Sequence, residues 1–93
     1  MAVVPPVVYS TNTSSAAADF LRIDSELALT FSGIALAASE LAMKTRTTIF
    51  ARKAYDTIAR LQGRVELTGT ERDRLEVNLA KLRADLQGLG QTL

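Results

Sequence analysis

One segment of the sequence carries apolar residues on two opposite sides of a predicted helix. The helix covers about residues 15–38, or continues to about Met43 if it is unbroken, with Ser14 or Ser15 as a suitable N-cap. One face, expected to pack in the core, collects a first apolar set, namely Phe20, Ile23, Leu27, Phe31, Ile34 and Ala38. A second stripe, formed by Leu29, Leu36 and Met43, falls on roughly the opposite side. A surface helix of a monomer has a single apolar face, so this segment predicts a helix that is central in a bundle or lies at a subunit interface.

Two further helices are predicted downstream. The second covers about residues 40–62, begins after Ser39 if the first helix breaks there, and stops at Gly63. Its expected core face comprises Phe50, Ala54, Ile58 and Leu61. The third covers about residues 70–88 and opens with the capping-box spacing of Thr68 and Glu71.

The third helix carries leucines that alternate four and three residues apart, at Leu75, Leu79, Leu82, Leu86 and Leu89. This run covers little more than two heptads, so packing within the chain is favoured over a dimeric coiled coil. The sequence therefore predicts an all-α, antiparallel three-helix bundle that forms oligomers.

The first thirteen residues predict an extended or disordered arm ahead of a single helical domain at residues 14–93. Pro5 and Pro6 lie among valines, a composition that disfavours a helix. The arm is either a mobile tail or a segment that docks in a groove of this subunit or of a neighbour.

The composition excludes much of the usual catalytic chemistry. The 93 residues include no histidine and no cysteine, which removes the commonest general base, the commonest transition-metal ligand and any thiolate nucleophile. We therefore expect a protein that is not an enzyme, with no catalytic residue, no cofactor and no metal. The lack of cysteine and of a recognisable secretion signal favours a cytoplasmic protein.

The net charge of the chain is +1, but the charged residues are distributed unevenly along it. Residues 1–43 carry −3, residues 44–64 carry +5, and residues 65–93 carry −1. Within the basic segment, Arg46, Lys53, Arg60 and Arg64 project on one side of the second helix. This basic row is a candidate anion-binding site for nucleic acid or another polyanion, although it lacks a recognisable binding motif. The simplest interpretation is a row that is solvated or neutralised by acidic residues of the first helix.

Acidic residues of the first helix have two expected roles. Asp19, Arg22 and Glu26 are spaced three and four apart and predict an exposed ladder of ion pairs. Asp24 lies at the margin of the Phe20, Leu27 and Phe31 face, where a carboxylate needs a basic or hydroxyl partner.

Residues 28–61 resemble a single helical hairpin of the tetratricopeptide type. Ala51 is followed four positions later by the aromatic Tyr55, as in the second helix of that repeat, and Phe31, Ser32 and Ala35 fit the first helix with several residues inserted. The family's next small position falls on Ile58, and no proline closes the unit. The resemblance implies a protein-binding helical surface. The composition is also similar to that of small bacterial helical proteins of unknown function.

The leading functional hypothesis is a non-enzymatic interaction or structural protein. It self-associates, with a dimer favoured, or binds a partner protein through the candidate interface of Leu29, Leu36 and Met43. The alternative is polyanion binding by the basic row. The third is membrane association through residues 27–43, an apolar run of 17 residues at or below the spanning limit.

Overall fold

Three α-helices pack against one another in the computed structural model, which describes the backbone of residues 6–93 and the side chains of residues 16–93. Helix α1 covers Pro6–Ala37, α2 covers Leu41–Leu61, and α3 covers Gly69–Gly88. A short 3-10 helix, Gln62–Arg64, follows α2. No strand occurs within residues 6–93. The predicted all-α three-helix bundle is therefore confirmed.

Helix α1 begins earlier than the sequence predicts. The described part of α1 already includes residues 6–13, which are therefore helical rather than an extended arm, and residues 1–5 lie outside the described part of the chain. Proline is tolerated in the first turn of a helix, because its missing N–H would have no intrahelical partner there and its φ is already helical. The valines that follow lower helix propensity by less than about 1 kcal/mol each, which does not stop a long helix.

A turn at residues 38–40 separates α1 from α2. The N-cap of α2 is Glu40, with φ −85° and ψ 125°, instead of Ser39. The apolar run at residues 27–43 is consequently divided between two helices. Among the residues that the structure describes, no helix combines the length and the apolar character needed to cross a membrane.

The helices run up, down and up. Leu21 shares a core cluster with Ile58, and Ala28 shares one with Ala51, so α2 descends as α1 ascends. Helix α3 is parallel to α1, because two hydrogen bonds join residues 53 positions apart. Asn78 donates to Ser25 Oγ at 3.0 Å, and the Ser32 hydroxyl donates to Asp85 Oδ2 at 2.7 Å.

The buried face of α1 is made mainly of small side chains. Its members are spaced three and four residues apart, as in a heptad seam: Ala18, Leu21, Ser25, Ala28, Ser32 and Ala35. The predicted core face is wrong, since Phe20, Ile23, Leu27 and Ile34 are exposed. Phe31 is half-buried and packs against the core cluster that contains Ala28.

Packing explains why the small face of α1 is the one that turns inward. The two partner helices present large residues to α1, with Ile58, Leu82 and Leu86 fully buried. Small side chains opposite these residues let the helices approach closely, and large residues facing small ones fill the interior without voids. The same face allows Ser25 and Ser32 to reach their partners on α3. Accordingly, no buried side-chain polar atom among the described residues lacks a hydrogen-bond partner.

The predictions for the other two helices are largely confirmed. In α2, Ala51 and Ile58 are buried, whereas Phe50 is exposed and does not belong to the core. In α3, Leu75, Leu82 and Leu86 are buried, and Leu79 and Leu89 pack against them. The capping box is present, because the Glu71 N–H donates to Thr68 Oγ1 at 3.1 Å and the Thr68 N–H donates to Glu71 Oε1 at 2.9 Å.

Candidate interaction surface

An apolar stripe lies on the solvent side of α1. It consists of Phe20, Ile23, Leu27 and Ile34, which are 50%, 53%, 50% and 41% exposed. Helical geometry places these four side chains within about 60° of one another and about 140° from the centre of the buried face. Large side chains so exposed, and grouped along about 21 Å of helix, form a continuous surface rather than scattered exposed residues.

Aromatic and apolar side chains extend the stripe toward α2. The rings of Phe31 and Phe50 are stacked with centroids 5.4 Å apart, and Phe50 remains 52% exposed. Near the turn, Ile34 of α1 and Met43 of α2 line the same shallow groove. The apolar surface therefore crosses the line of contact between α1 and α2.

The basic row borders this surface on α2. Arg46, Lys53 and Arg60 follow one another along a single side of the helix, and Arg64 ends the 3-10 turn. All four are exposed, and within the described part of the chain none of them forms a salt bridge.

The basic row and the apolar stripe point to the same side of the molecule. On α2, the side facing α3 is marked by Tyr55, whose hydroxyl lies 3.4 Å from an Arg83 nitrogen. The side facing α1 is marked by Phe50. The basic row comes directly after Phe50 around the helix, on the flank away from Tyr55. It therefore lies on the face of the α1–α2 pair that is turned away from α3.

An acidic flank, Asp19 and Glu26, runs along the other edge of the apolar stripe. As the spacing predicts, both carboxylates are paired with Arg22, at 3.7 Å for Asp19 and 3.4 Å for Glu26. Asp19 and Glu26 are exposed to solvent, and Arg22 is partly exposed. Across this face of the molecule the order is thus the acidic flank, the apolar stripe, Phe31 with Phe50, and the basic row.

The structure does not bring Leu29, Leu36 and Met43 together on one stripe. Leu29 packs against the core cluster that contains Ala28. Leu36 is exposed but lies beside α3, with its Cδ2 3.8 Å from the point where a Cβ on Gly88 would be. Met43 belongs to α2 and lies with Ile34 at the turn. Their joint role as an interface stays a prediction.

Helical geometry places Asp24 between the apolar stripe and α2. Burial raises the pKa of its carboxyl above the ordinary value of 3.8. The basic or hydroxyl partner that the sequence predicts for it is not found, because no hydrogen bond or salt bridge joins Asp24 to another described residue. The carboxyl group is therefore destabilised in its charged form.

Sequence reasoning missed the apolar stripe as a surface because it assigned the largest side chains to the core. A usable signal was present in the heptad spacing of the small residues, with Ser25 and Ser32 seven apart and Ala28 and Ala35 seven apart. Such a seam is typical of two helices in close contact.

Comparisons with protein-family models, with curated proteins and with solved structures found no significant match. Function is therefore inferred from the surface itself.

Proposed function

We propose that this chain is a non-enzymatic helical interaction protein that self-associates through the apolar stripe of α1. One observation carries the proposal: the largest apolar side chains of α1 are about half exposed, while alanine and serine occupy its buried face. The exposed half of these side chains gains hydrophobic free energy only when a second surface covers it.

The size of the surface supports a specific contact. Four half-exposed side chains of this size leave roughly 350 Å² of apolar area, which is the size of the largest apolar patch on a typical monomer, and such patches are often functional. Phe50, half exposed, and the aliphatic stems of the basic row enlarge the face that a partner would cover. Specific protein interfaces bury about 600–800 Å² per copy, so a partner must cover the charged borders together with the apolar stripe.

A second copy of the chain is the favoured occupant over an unrelated partner protein. The exposed stripe lies on the same face as the acidic flank and the basic row, so two copies of this face can pair apolar with apolar side chains and acidic with basic ones. The resemblance of residues 28–61 to a tetratricopeptide-type hairpin supports a protein-binding role without naming a partner.

Sedimentation velocity across about 1 to 200 µM tests self-association, since mass action makes the dimer fraction depend on concentration. We expect a dimer that Leu27→Glu converts to a monomer. Val77→Glu is the matched control, because Val77 is also exposed, at 67%, but belongs to α3. A wild-type chain that stays monomeric at the highest concentration refutes the proposal.

Leu36→Glu separates the apolar stripe from the interface that the sequence predicted. Leu36 is exposed to a similar extent as Leu27, but it lies beside α3. If the stripe is the interface, Leu36→Glu leaves the dimer intact. If Leu36→Glu dissociates the dimer and Leu27→Glu does not, the interface is on the other side of α1.

Binding of a polyanion by the basic row is the second candidate function. Its support is the row of exposed cations without ion-pair partners among the described residues. A fluorescent single-stranded DNA oligonucleotide at low salt is a suitable probe, and binding should weaken steeply with added salt. The Lys53→Glu/Arg60→Glu variant should lose this binding, whereas Arg72→Glu/Arg74→Glu on α3 should retain most of it. No binding at low salt rules out this function.

A further inference from the structure

We propose that two copies pair as a parallel, two-fold symmetric dimer in which the α1 helices lie side by side and the basic row of each copy covers the acidic flank of the other. The inference rests on the proposed self-association and specifies its geometry. The basis is the order of charges across one face of the molecule and the register of α1 against α2.

The order of charges selects between two symmetric arrangements. The apolar stripe has the acidic flank on one side and the basic row on the other. A two-fold axis that runs along α1 exchanges the two sides, so each basic row meets the acidic flank of the second copy. A two-fold axis perpendicular to α1 keeps the sides in place and makes the helices antiparallel. Each basic row then lies against the other basic row, and like charges oppose the contact.

The register of α1 and α2 shows that the opposite charges also meet at matching heights. Leu21 is level with Ile58, and Ala28 is level with Ala51, so each step up α1 corresponds to one step down α2. By this register Asp19 is level with Arg60. An axis along α1 preserves height, so Asp19 lies opposite Arg60 of the second copy.

The same register places Glu26 level with Lys53, and the dimer brings these two residues together as well. Each ion pair occurs twice in a symmetric dimer. The ladder of Asp19, Arg22 and Glu26 carries one net negative charge. Among the described residues, no carboxylate forms a salt bridge with a residue of the basic row. Attraction between the copies therefore remains after the intrachain pairs are formed.

Cysteine cross-linking distinguishes the two arrangements, since the chain has no native cysteine. In the parallel dimer every stripe residue lies near its own counterpart, so Phe20→Cys and Ile34→Cys should each form a disulfide-linked dimer under mild oxidation. In an antiparallel dimer centred on Leu27, identical positions at either end are about 21 Å apart, which is too far for a disulfide. Only a mixture of the two variants would then cross-link.

The control for chance collision is Asp73→Cys, because Asp73 is exposed on α3, away from the stripe. The parallel arrangement is overturned if only the mixed sample cross-links, or if neither variant cross-links while the protein sediments as a dimer. Those results leave self-association intact. A monomer in sedimentation velocity overturns self-association together with the arrangement.

A charge swap tests the ion pairs themselves. Glu26→Lys and Lys53→Glu should each raise the dimer Kd about tenfold, because each substitution places like charges opposite each other twice per dimer. The double variant restores the pair with reversed polarity and should return Kd to within about threefold of wild type, as a double-mutant cycle requires for interacting residues. Glu76→Lys, an exposed residue of α3, is the matched control and should leave Kd unchanged. Additive weakening in the double variant overturns the pairing.

Discussion

The rotation of α1 about its own axis can be tested with two neighbouring residues. Leu27 is 50% exposed and Ala28 is 1% exposed, although the sequence favours the opposite orientation. We expect Leu27→Ala to lower the free energy of unfolding of the monomer only slightly and Ala28→Leu to lower it more. The two substitutions exchange the same atoms at adjacent positions, so their ranking reports which side of α1 faces the core.

The magnitudes follow from burial. A fully buried leucine contributes roughly 1.5–3 kcal/mol, so a half-exposed one contributes about 1 kcal/mol, and its removal at the surface leaves no cavity. Ala28 lies in a core cluster with Ala51, Leu82 and Leu86. A leucine there has no space to occupy, and overpacking costs about 1–3 kcal/mol. If α1 were rotated to bury Leu27, Leu27→Ala would instead cost about 2–5 kcal/mol.

Urea denaturation followed by circular dichroism at 222 nm measures both differences. The protein concentration should be about 2 µM or lower, because dimer formation adds stability that depends on concentration. Unchanged m-values would show that both variants unfold from a comparable native state. Val77→Ala is the control for an exposed apolar residue outside the stripe. A larger loss for Leu27→Ala than for Ala28→Leu refutes the orientation of α1.

Three further predictions concern particular polar groups. Thr68→Ala should lower the free energy of unfolding by about 1 kcal/mol, because it removes the N-cap acceptor of α3, and Thr70→Ala, in the first turn, should cost less in the same denaturation experiment. Asp24→Asn should raise the free energy of unfolding at about pH 7. Burial raises the pKa of Asp24 in the folded state, so folding favours the protonated carboxyl and the wild type loses stability as pH rises above 3.8. At about pH 3, where Asp24 is protonated in both states, wild type and variant should be equally stable, and a difference that persists there contradicts burial as the cause. Ser32→Ala should cost about 1–2 kcal/mol, because it removes the hydroxyl that donates to Asp85 across the α1–α3 contact; no measurable loss would indicate that the hydrogen bond is absent in solution.

Several parts of this fold were predictable because they depend on residues close together in the chain. The capping box of Thr68 and Glu71 and the Asp19–Arg22–Glu26 ladder both form as their spacing indicates. The leucine seam of α3 turns inward because no other face of that helix is apolar. The exposed basic row also follows from spacing, since charged side chains seven residues apart share one side of a helix and stay in solvent.

The start of α1 and the division of the apolar run near Ser39 were harder to predict. Proline is tolerated in the first turn of a helix, and local composition does not show that residues 6–13 are helical. The turn at residues 38–40 contains neither glycine nor proline, so no local signal for it is strong.

By itself, the sequence determined which residues of α1 share a face, because helical geometry fixes the angle between any two positions. The tertiary structure decided which of those faces is buried. The other two helices contribute large buried residues, Ile58, Leu82 and Leu86, which pack best against small residues of α1. Helix α3 also contributes Asn78 and Asp85, which form hydrogen bonds with the hydroxyl groups of Ser25 and Ser32. Hydrophobicity alone ranks the face of Phe20, Ile23 and Leu27 above the alanine and serine face, but close packing and hydrogen bonding depend on the partner surface. Burial of the alanine and serine face leaves the apolar stripe exposed, and the proposed function depends on this exposed stripe.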